Sequence, residues 1–377
     1  MVDSISTVLD IREVMMKKIM LVFGTRPEAI KMCPLVNELK KHEDMETIVC
    51  VTGQHKEMVS PVLDLFGVVP DYDLEIMKAN QTLFSITTSI LEKIKPVLEK
   101  EQPDIVLVHG DTTTTYAAAL AAFYLGIKVG HVEAGLRTYN LQSPFPEEFN
   151  RQSTSIIATY HFAPTELAKE NLLKEGRENV YVTGNTVIDA LTTTVQEDYT
   201  HTHLDLNANN RLILLTAHRR ENLGEPMRHM FRAVKRVLNE YEDVKVIYPI
   251  HKNPLVRETA AEIFGDTERI QIIEPLDVLD FHNFMNQSYM ILTDSGGVQE
   301  EAPSLGKPVL VMRDTTERPE GVAAGTLKLV GTDEETIYQN FKLLLDDSGE
   351  YKKMSQASNP YGNGDASQQI VQILRGI

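Results

Sequence analysis

The chain reads as an α/β protein of two Rossmann-like, doubly wound domains facing a central cleft. Three observations predict this. Short apolar runs alternate with helix-length amphipathic segments almost from end to end, the pattern of buried parallel strands joined by crossover helices. The chain has 377 residues, beyond the ~250–300 at which a single core stops growing. The alternation also falls into two series, divided by the polar stretch EDYTHTHLDLNANN at 197–210.

In order, the leader MVDSISTVLDIREVMMKK carries acids where a signal peptide needs an apolar core, so residues 1–17 read as a cytosolic extension. The first series of strands is KIMLVF (18–23), TIVCVT (47–52), DIVLVH (104–109), KVGHVE (128–133), YHFAP (160–164) and NVYVTG (179–184). The second is RLILLTA (211–217), VKVIYPI (244–250), RIQIIEP (269–275), YMILTD (289–294) and KPVLVM (307–312). Each run is too short for a buried helix and most are flanked by Gly, Pro or Asn. The expected domains are 18–200 and 201–363, with a final helix at about 364–377 packing back on the first.

Composition narrows the function. A net charge of −17 argues against a broad nucleic-acid or anionic-membrane surface. An anionic ligand then needs a local basic pocket. Cys33 and Cys50 are the only cysteines, which suggests no disulfide framework and a cytoplasmic protein. No apolar run approaches the ~18 residues of a membrane span. No H-E-x-x-H or paired C-x-x-C points to a metal.

In open α/β sheets, ligands sit beyond the carboxyl ends of the strands, and polar motifs cluster there. GTRPEAIK (24–31) places Arg26 and Lys31 near a helix start, with Pro27 at its first position; it reads as an anion contact or as a capped helix with solvated bases. Asp111 in HGDTTTT is either a site carboxylate or an N-cap. Glu133, in HVEAGLRT, ends a strand before a glycine turn. Glu147 and Glu148, in SPFPEEFNR, follow two prolines at a helix start, where acids are favoured anyway. Converging carboxylates suit proton transfer, because crowding separates their proton affinities. His218, Arg219 and Arg220, in AHRRE, suit phosphate, and His251 is the matching exit one strand on. In TDSGGVQEE, Gly296 and Gly297 follow a strand and precede Glu300 and Glu301. A nucleotide seat there would turn backbone N–H groups to a pyrophosphate and a carboxylate to a ribose; a tight turn with a solvated first turn is the plainer alternative. Arg313 and Arg318, in RDTTERPE, add positive charge nearby. Asp71 and Asp73, in DYDLE, look like a metal–nucleotide motif, but they fall between a helix and a loop, and that reading is set aside.

Seven motifs in order, FGTRPEAIKMCP, VHGDTTTT, HVEAGLRT, PEEFNR, TAHRREN, TDSGGVQEEAPSLGKP and RDTTERPE, closely resemble the bacterial non-hydrolysing UDP-N-acetylglucosamine 2-epimerases, from about residue 18 to the end. The resemblance implies a glycosyltransferase-B type fold, a homodimer, and reversible conversion of UDP-N-acetylglucosamine to UDP-N-acetylmannosamine for cell-surface polysaccharide synthesis. The implied reaction is not redox and uses no cofactor. Anti elimination releases UDP and a 2-acetamidoglucal, both stay bound, and UDP re-adds after a proton returns on the other face of C2. The implied ligand contacts are Arg26, Lys31, Asp111, Glu133, His218, Leu276, Phe281, Ser295, Gly296, Gly297, Glu301 and Arg318. Catalysis is expected of Asp111, Glu133, Glu147 and His218. Gln54, Gln81, Glu147, Arg219 and His251 match an activator site for a second UDP-N-acetylglucosamine. A basic residue often precedes the position of Gln81 in this family, and Asn80 stands there instead.

Two other enzyme readings share the fold: a hydrolysing epimerase, which would release N-acetylmannosamine, and a glycosyltransferase. A nucleotide-sugar sensor without turnover would need the phosphate contacts but not the three acids.

Overall fold

The computed structural model describes residues 16–78, 81–204, 210–265 and 267–377. Most of the N-terminal extension, Asn80 and part of the polar boundary stretch lie outside them.

The first sheet contains β1 (Lys17–Phe23), β2 (Met45–Val51), β3 (Tyr72–Asp73), β4 (Ile105–His109), β5 (Lys128–Val132), β6 (Tyr160–Ala163) and β7 (Val180–Val182). The second contains β8 (Arg211–Thr216), β9 (Val244–Pro249), β10 (Ile270–Ile273), β11 (Met290–Thr293), β12 (Val309–Val311) and β13 (Leu327–Leu329). Their orders are β3-β2-β1-β4-β5-β6-β7 and β10-β9-β8-β11-β12-β13. Neighbouring strands pair in parallel, and helices cover both faces. The chain therefore has the two predicted Rossmann-like units.

Each sheet reverses direction beside its first strand, between β1 and β4 and between β8 and β11. Loops diverge there and leave a crevice. Buried strands such as β1, with Ile19 to Phe23 at 0% exposure, explain the continuous apolar runs. Two edge strands escape that signal. β3 has two residues and β13 has three. Asp73 accordingly ends a strand, where a loop was expected. Asp71 accepts a hydrogen bond from the Val49 amide at 2.8 Å, and Asp73 accepts one from the Glu75 amide at 2.9 Å. Both are occupied in local structure.

The helix Ala366–Gly376 lays Ile370, Val371 and Leu374 into the core of the first sheet. Tyr199 and Leu204, in the boundary stretch, pack into a core of the second. The chain thus crosses between the units twice.

Candidate active site

At the first switch point, the chain leaves β1 through Gly24. A Cβ there would lie 1.9 Å from Thr52 Oγ1 and 2.9 Å from Thr114 Oγ1, so no larger residue fits without displacing those side chains. Thr25 then caps the helix Arg26–Leu39 in a capping box with Glu28. Arg26 is its first residue and Pro27 its second, one position later than predicted. Glu28 is 1% exposed and does more than cap. Its carboxylate accepts from the Gly24 amide at 3.0 Å, the Thr25 amide at 2.8 Å and the Thr112 hydroxyl at 2.7 Å. It thereby ties the β1 exit loop to the β4 exit loop. The N-cap of the helix Thr113–Tyr124 is Thr112, which leaves Asp111 free of the capping role.

Between the switch points lies a cavity of about 570 Å³. Arg26 and Lys31 line it from the first unit. From the second come His218, His251, Leu276 and Phe281, together with Ser295, Gly297, Glu301 and Arg318. Gly296 lies against Arg318: a Cβ on it would be 2.7 Å from Arg318 Nη1. Its missing side chain makes room for that guanidinium, while Gly297 faces the cavity.

Beneath Lys31 and Arg318 is a buried charge network. Lys31 Nζ is ion-paired with Glu133 and lies 3.7 Å from Glu300. Arg318 Nε donates to Glu300 at 2.7 Å. Asn185 Nδ2 donates to Glu133 at 2.9 Å and to Glu300 at 3.0 Å. Two cations thus meet two carboxylates, the condition under which charges persist in an interior. Burial works to raise the Glu133 carboxyl, but Lys31, His109 and Arg318 together outweigh it and hold the group at about 2. Glu133 also has φ of +60°, a conformation few side chains adopt. Such an outlier at a cleft points to a group held in place for use.

Asp111 stands across the same loop cluster. Burial raises its carboxyl, and Arg151, whose Nη2 donates to it at 2.5 Å, partly offsets that. Glu133 and Asp111 therefore have proton affinities pushed apart, which separates a base from an acid. Glu147 begins the helix Glu147–Ile157 and is half-buried. Its neighbour Glu148 is fully buried and accepts from the Thr138 and Tyr139 amides at 3.0 and 2.9 Å.

On the second unit, Asp294 is fully buried and organises the β8 exit. Its Oδ2 accepts from the amides of His218 and Arg219, both at 2.9 Å. Its Oδ1 lies 3.2 Å from His218 Nδ1. The His218 ring stacks on His251, with centroids 5.4 Å apart.

The five activator positions do not share one cavity. Arg219 lies on a second cavity of about 740 Å³ with Arg137 and Arg313, whereas His251 is on the first. Gln54 accepts from the Thr114 hydroxyl at 2.9 Å, and Gln81 donates to the Ile76 carbonyl at 2.8 Å. Among the described residues, no cluster of His, Cys, Asp or Glu could hold a metal ion, and no helix is long and apolar enough to cross a membrane.

Asn185, Asp294, Glu300 and Arg151 are absent from the predicted set. Arg151, Asp294 and Glu300 lie within quoted motifs, and helical phase offered a signal for Glu300. Adjacent acids on a helix point in different directions, so one of Glu300 and Glu301 had to face inward.

The family model for UDP-N-acetylglucosamine 2-epimerase matches residues 37–375. The UDP-N-acetylglucosamine 2-epimerase of Bacillus subtilis (strain 168) is 64% identical over 359 residues, covering 95% of this chain and 94% of that protein. A crystal structure of a UDP-N-acetylglucosamine 2-epimerase from Listeria monocytogenes superposes with a TM-score of 0.91 at 56% identity, covering 95% of this chain and 96% of that one. The Neisseria meningitidis enzyme bound to UDP-N-acetylglucosamine gives 0.85 at 49% identity, covering 96% and 100%. The architecture, the motifs and these likenesses agree: the chain belongs to the UDP-N-acetylglucosamine 2-epimerase family, with the bacterial non-hydrolysing enzymes.

Proposed function

We propose that this epimerase inverts C2 of UDP-N-acetylglucosamine by eliminating and re-adding UDP. The observation that carries the reading is the pairing of a cation-lined cavity with carboxylates of separated proton affinity, of which Glu133 is ion-paired with Lys31 of the cavity wall. Arg26, His218 and Arg318 surround the diphosphate and stabilise the charge that develops as the anomeric C–O bond breaks. With Nδ1 turned to Asp294, His218 presents Nε2 to the ligand. Gly297 and Ser295 admit the phosphates, Glu301 takes the ribose hydroxyls, and Leu276 and Phe281 border the uracil.

Glu133 is ionised at neutral pH and takes the proton from C2. Asp111 holds the higher proton affinity and serves the opposite face, with Glu147 beside it. The electrons of the broken C2–H bond form the C1=C2 double bond as UDP leaves, giving the 2-acetamidoglucal. Protonation at the other face of C2 and return of the UDP oxygen to C1 complete the inversion. The glycal needs shelter from water, which a cleft between two domains provides on closing.

A second molecule of UDP-N-acetylglucosamine acts as activator through Gln54, Gln81, Glu147, Arg219 and His251, by favouring a closed cleft that gathers them. The enzyme works as a cytoplasmic homodimer that supplies cell-surface polysaccharide synthesis; both cysteines are free and buried, in keeping with a reducing compartment. Proton NMR of UDP-N-acetylglucosamine incubated in deuterated water tests the reaction. Deuterium should enter C2 of both epimers without added nicotinamide or metal. Turnover with the original hydrogen retained would exclude the elimination.

A further inference from the structure

Two catalytic halves on different domains must act together, and one uncharged side chain touches both. Asn185 caps the helix Thr186–Thr194 and is 2% exposed. Its Oδ1 accepts from the Val187 amide at 3.1 Å, which fixes the amide orientation. The opposite end, Nδ2, therefore faces Glu133 at 2.9 Å and Glu300 at 3.0 Å, using both of its hydrogens. Its own amide N–H donates to the Tyr361 carbonyl at 2.8 Å, which anchors the backbone. Glu133 belongs to the first domain. Glu300 belongs to the second, where it grips Arg318 of the cavity wall.

From this geometry we infer that Asn185 is a positioning residue for the reaction, holding the Glu133 carboxylate in its working orientation and coupling that orientation to the Glu300–Arg318 pair across the cleft. The inference rests on the proton-transfer role proposed for Glu133. Lys31 cannot do this alone, because a single ammonium on a flexible stem is a point charge that leaves the carboxylate free to turn. A second donor from a rigid helix cap fixes the plane. The same cap contacts Glu300, so displacement of the second domain pulls on the donor that orients Glu133.

Aspartate and serine both cap helices as well as asparagine does, so Asn185→Asp and Asn185→Ser keep the helix start and delete the two donated bonds. Asn185→Asp further sets a third carboxylate among Glu133 and Glu300, facing Lys31, His109 and Arg318. Its protonation restores one donor. Serine is too short to reach and adds no charge. The measurements are kcat and KM between pH 5 and 8, UDP affinity by calorimetry, and the melting temperature. The expected result is a kcat at least about tenfold lower in both variants, UDP affinity within about threefold of wild type, and recovery of kcat toward low pH in Asn185→Asp only. A structural role would lower the melting temperature and move no pH profile. Wild-type kcat in both variants, or the same pH profile in both, overturns the inference, and Asn185→Ser decides the first point if Asn185→Asp does not fold. Glu133→Gln, assayed alongside, separates the two claims. An inactive Glu133→Gln with fully active Asn185 variants leaves the proton-transfer reading standing and removes the positioning one; an active Glu133→Gln removes both.

Discussion

Acid should destabilise this protein through three histidines sealed in its first sheet. His109 closes β4, His131 lies in β5, and His161 stands opposite His131 in β6. They are 4%, 0% and 1% exposed. Burial keeps the imidazoles neutral, lowering them to about 4, about 3 and about 4. Unfolding returns each to about 6.5. The unfolded chain then binds protons that the folded chain refuses, so the stabilisation is complete above about pH 6.5 and is lost as pH falls toward 4. Between about pH 7.5 and 5 each histidine withdraws roughly 2 kcal/mol, and the set about 6, against a typical total of about 5–15. Glu28, Asp111 and Asp189, raised by burial, work in the opposite direction, so the wild-type curve mixes both. His161→Leu isolates one contribution. The buried Nδ1 of His161 has no hydrogen-bond partner, so an apolar replacement strands no donor. The chain has no tryptophan, and circular dichroism is the better probe of urea unfolding at the two pH values. Wild type should lose about 2 kcal/mol more on acidification than His161→Leu does. Equal losses would show that His161 is not held neutral, and the argument from burial would fail.

Glu133→Gln keeps shape and polarity but cannot exchange a proton, so turnover should fall by about 10²-fold or more while UDP still binds; unchanged turnover would assign Glu133 a structural role. Arg26→Ala and His218→Ala each remove a charge-assisted contact and should weaken UDP binding by about 1.5–3 kcal/mol in calorimetry; no change in either would misplace the diphosphate. Started from pure UDP-N-acetylmannosamine, the reverse reaction should show a lag that a little UDP-N-acetylglucosamine abolishes. Arg219→Ala should reduce that activation more than it reduces UDP affinity, and a lag-free curve would remove the activator role.

The sequence disclosed what local chemistry determines. Continuous apolar runs announced the central strands because both faces of a parallel sheet are covered. Glycine, cation and carboxylate at the strand exits announced a cleft. Tyr72–Asp73 and Leu327–Leu329 stayed hidden, since two or three residues paired on an edge carry no run to detect. Asn185 stayed hidden for another reason. Its partners are 52 and 115 positions away, and nothing near it distinguishes a bridging amide from an ordinary helix cap. Glu300 was half visible: helical phase turns one of two adjacent acids inward, but a carboxylate 2% exposed finds its partners only once Arg318 and Lys31 are seen to face it.

The two halves of the site are held by different physics, and that difference bears on how the cleft works. In the first domain, the loops carrying Arg26, Lys31 and Asp111 are fixed internally, by the close approach at Gly24 and by the donors converging on buried Glu28. This framework needs nothing from the second domain. Contacts across the cleft include polar ones, Lys31 and Asn185 with Glu300 and the Thr165 hydroxyl donating to Glu320 at 2.8 Å, beside Val278, which packs on the core of the first domain. Asn185 and Glu300 are each 2% exposed, so parting them leaves buried polar groups unpaired unless water enters as the domains separate. On the helix Val278–Gln287, Asn283 bonds the Thr194 carbonyl at 2.8 Å, and His282, which also lines the cavity, lies 2.7 Å from the Thr194 hydroxyl, all buried. Buried bonds of this kind resist separation, since neither partner finds water. A displacement of the second domain that parted Glu300 from Asn185 and Lys31 would leave the Gly24, Glu28 and Thr112 bonds undisturbed. On the proposed mechanism, the first domain's half of the site would keep its shape, and its coupling to the nucleotide seat would run through the contacts of Asn185 and Lys31 with Glu300.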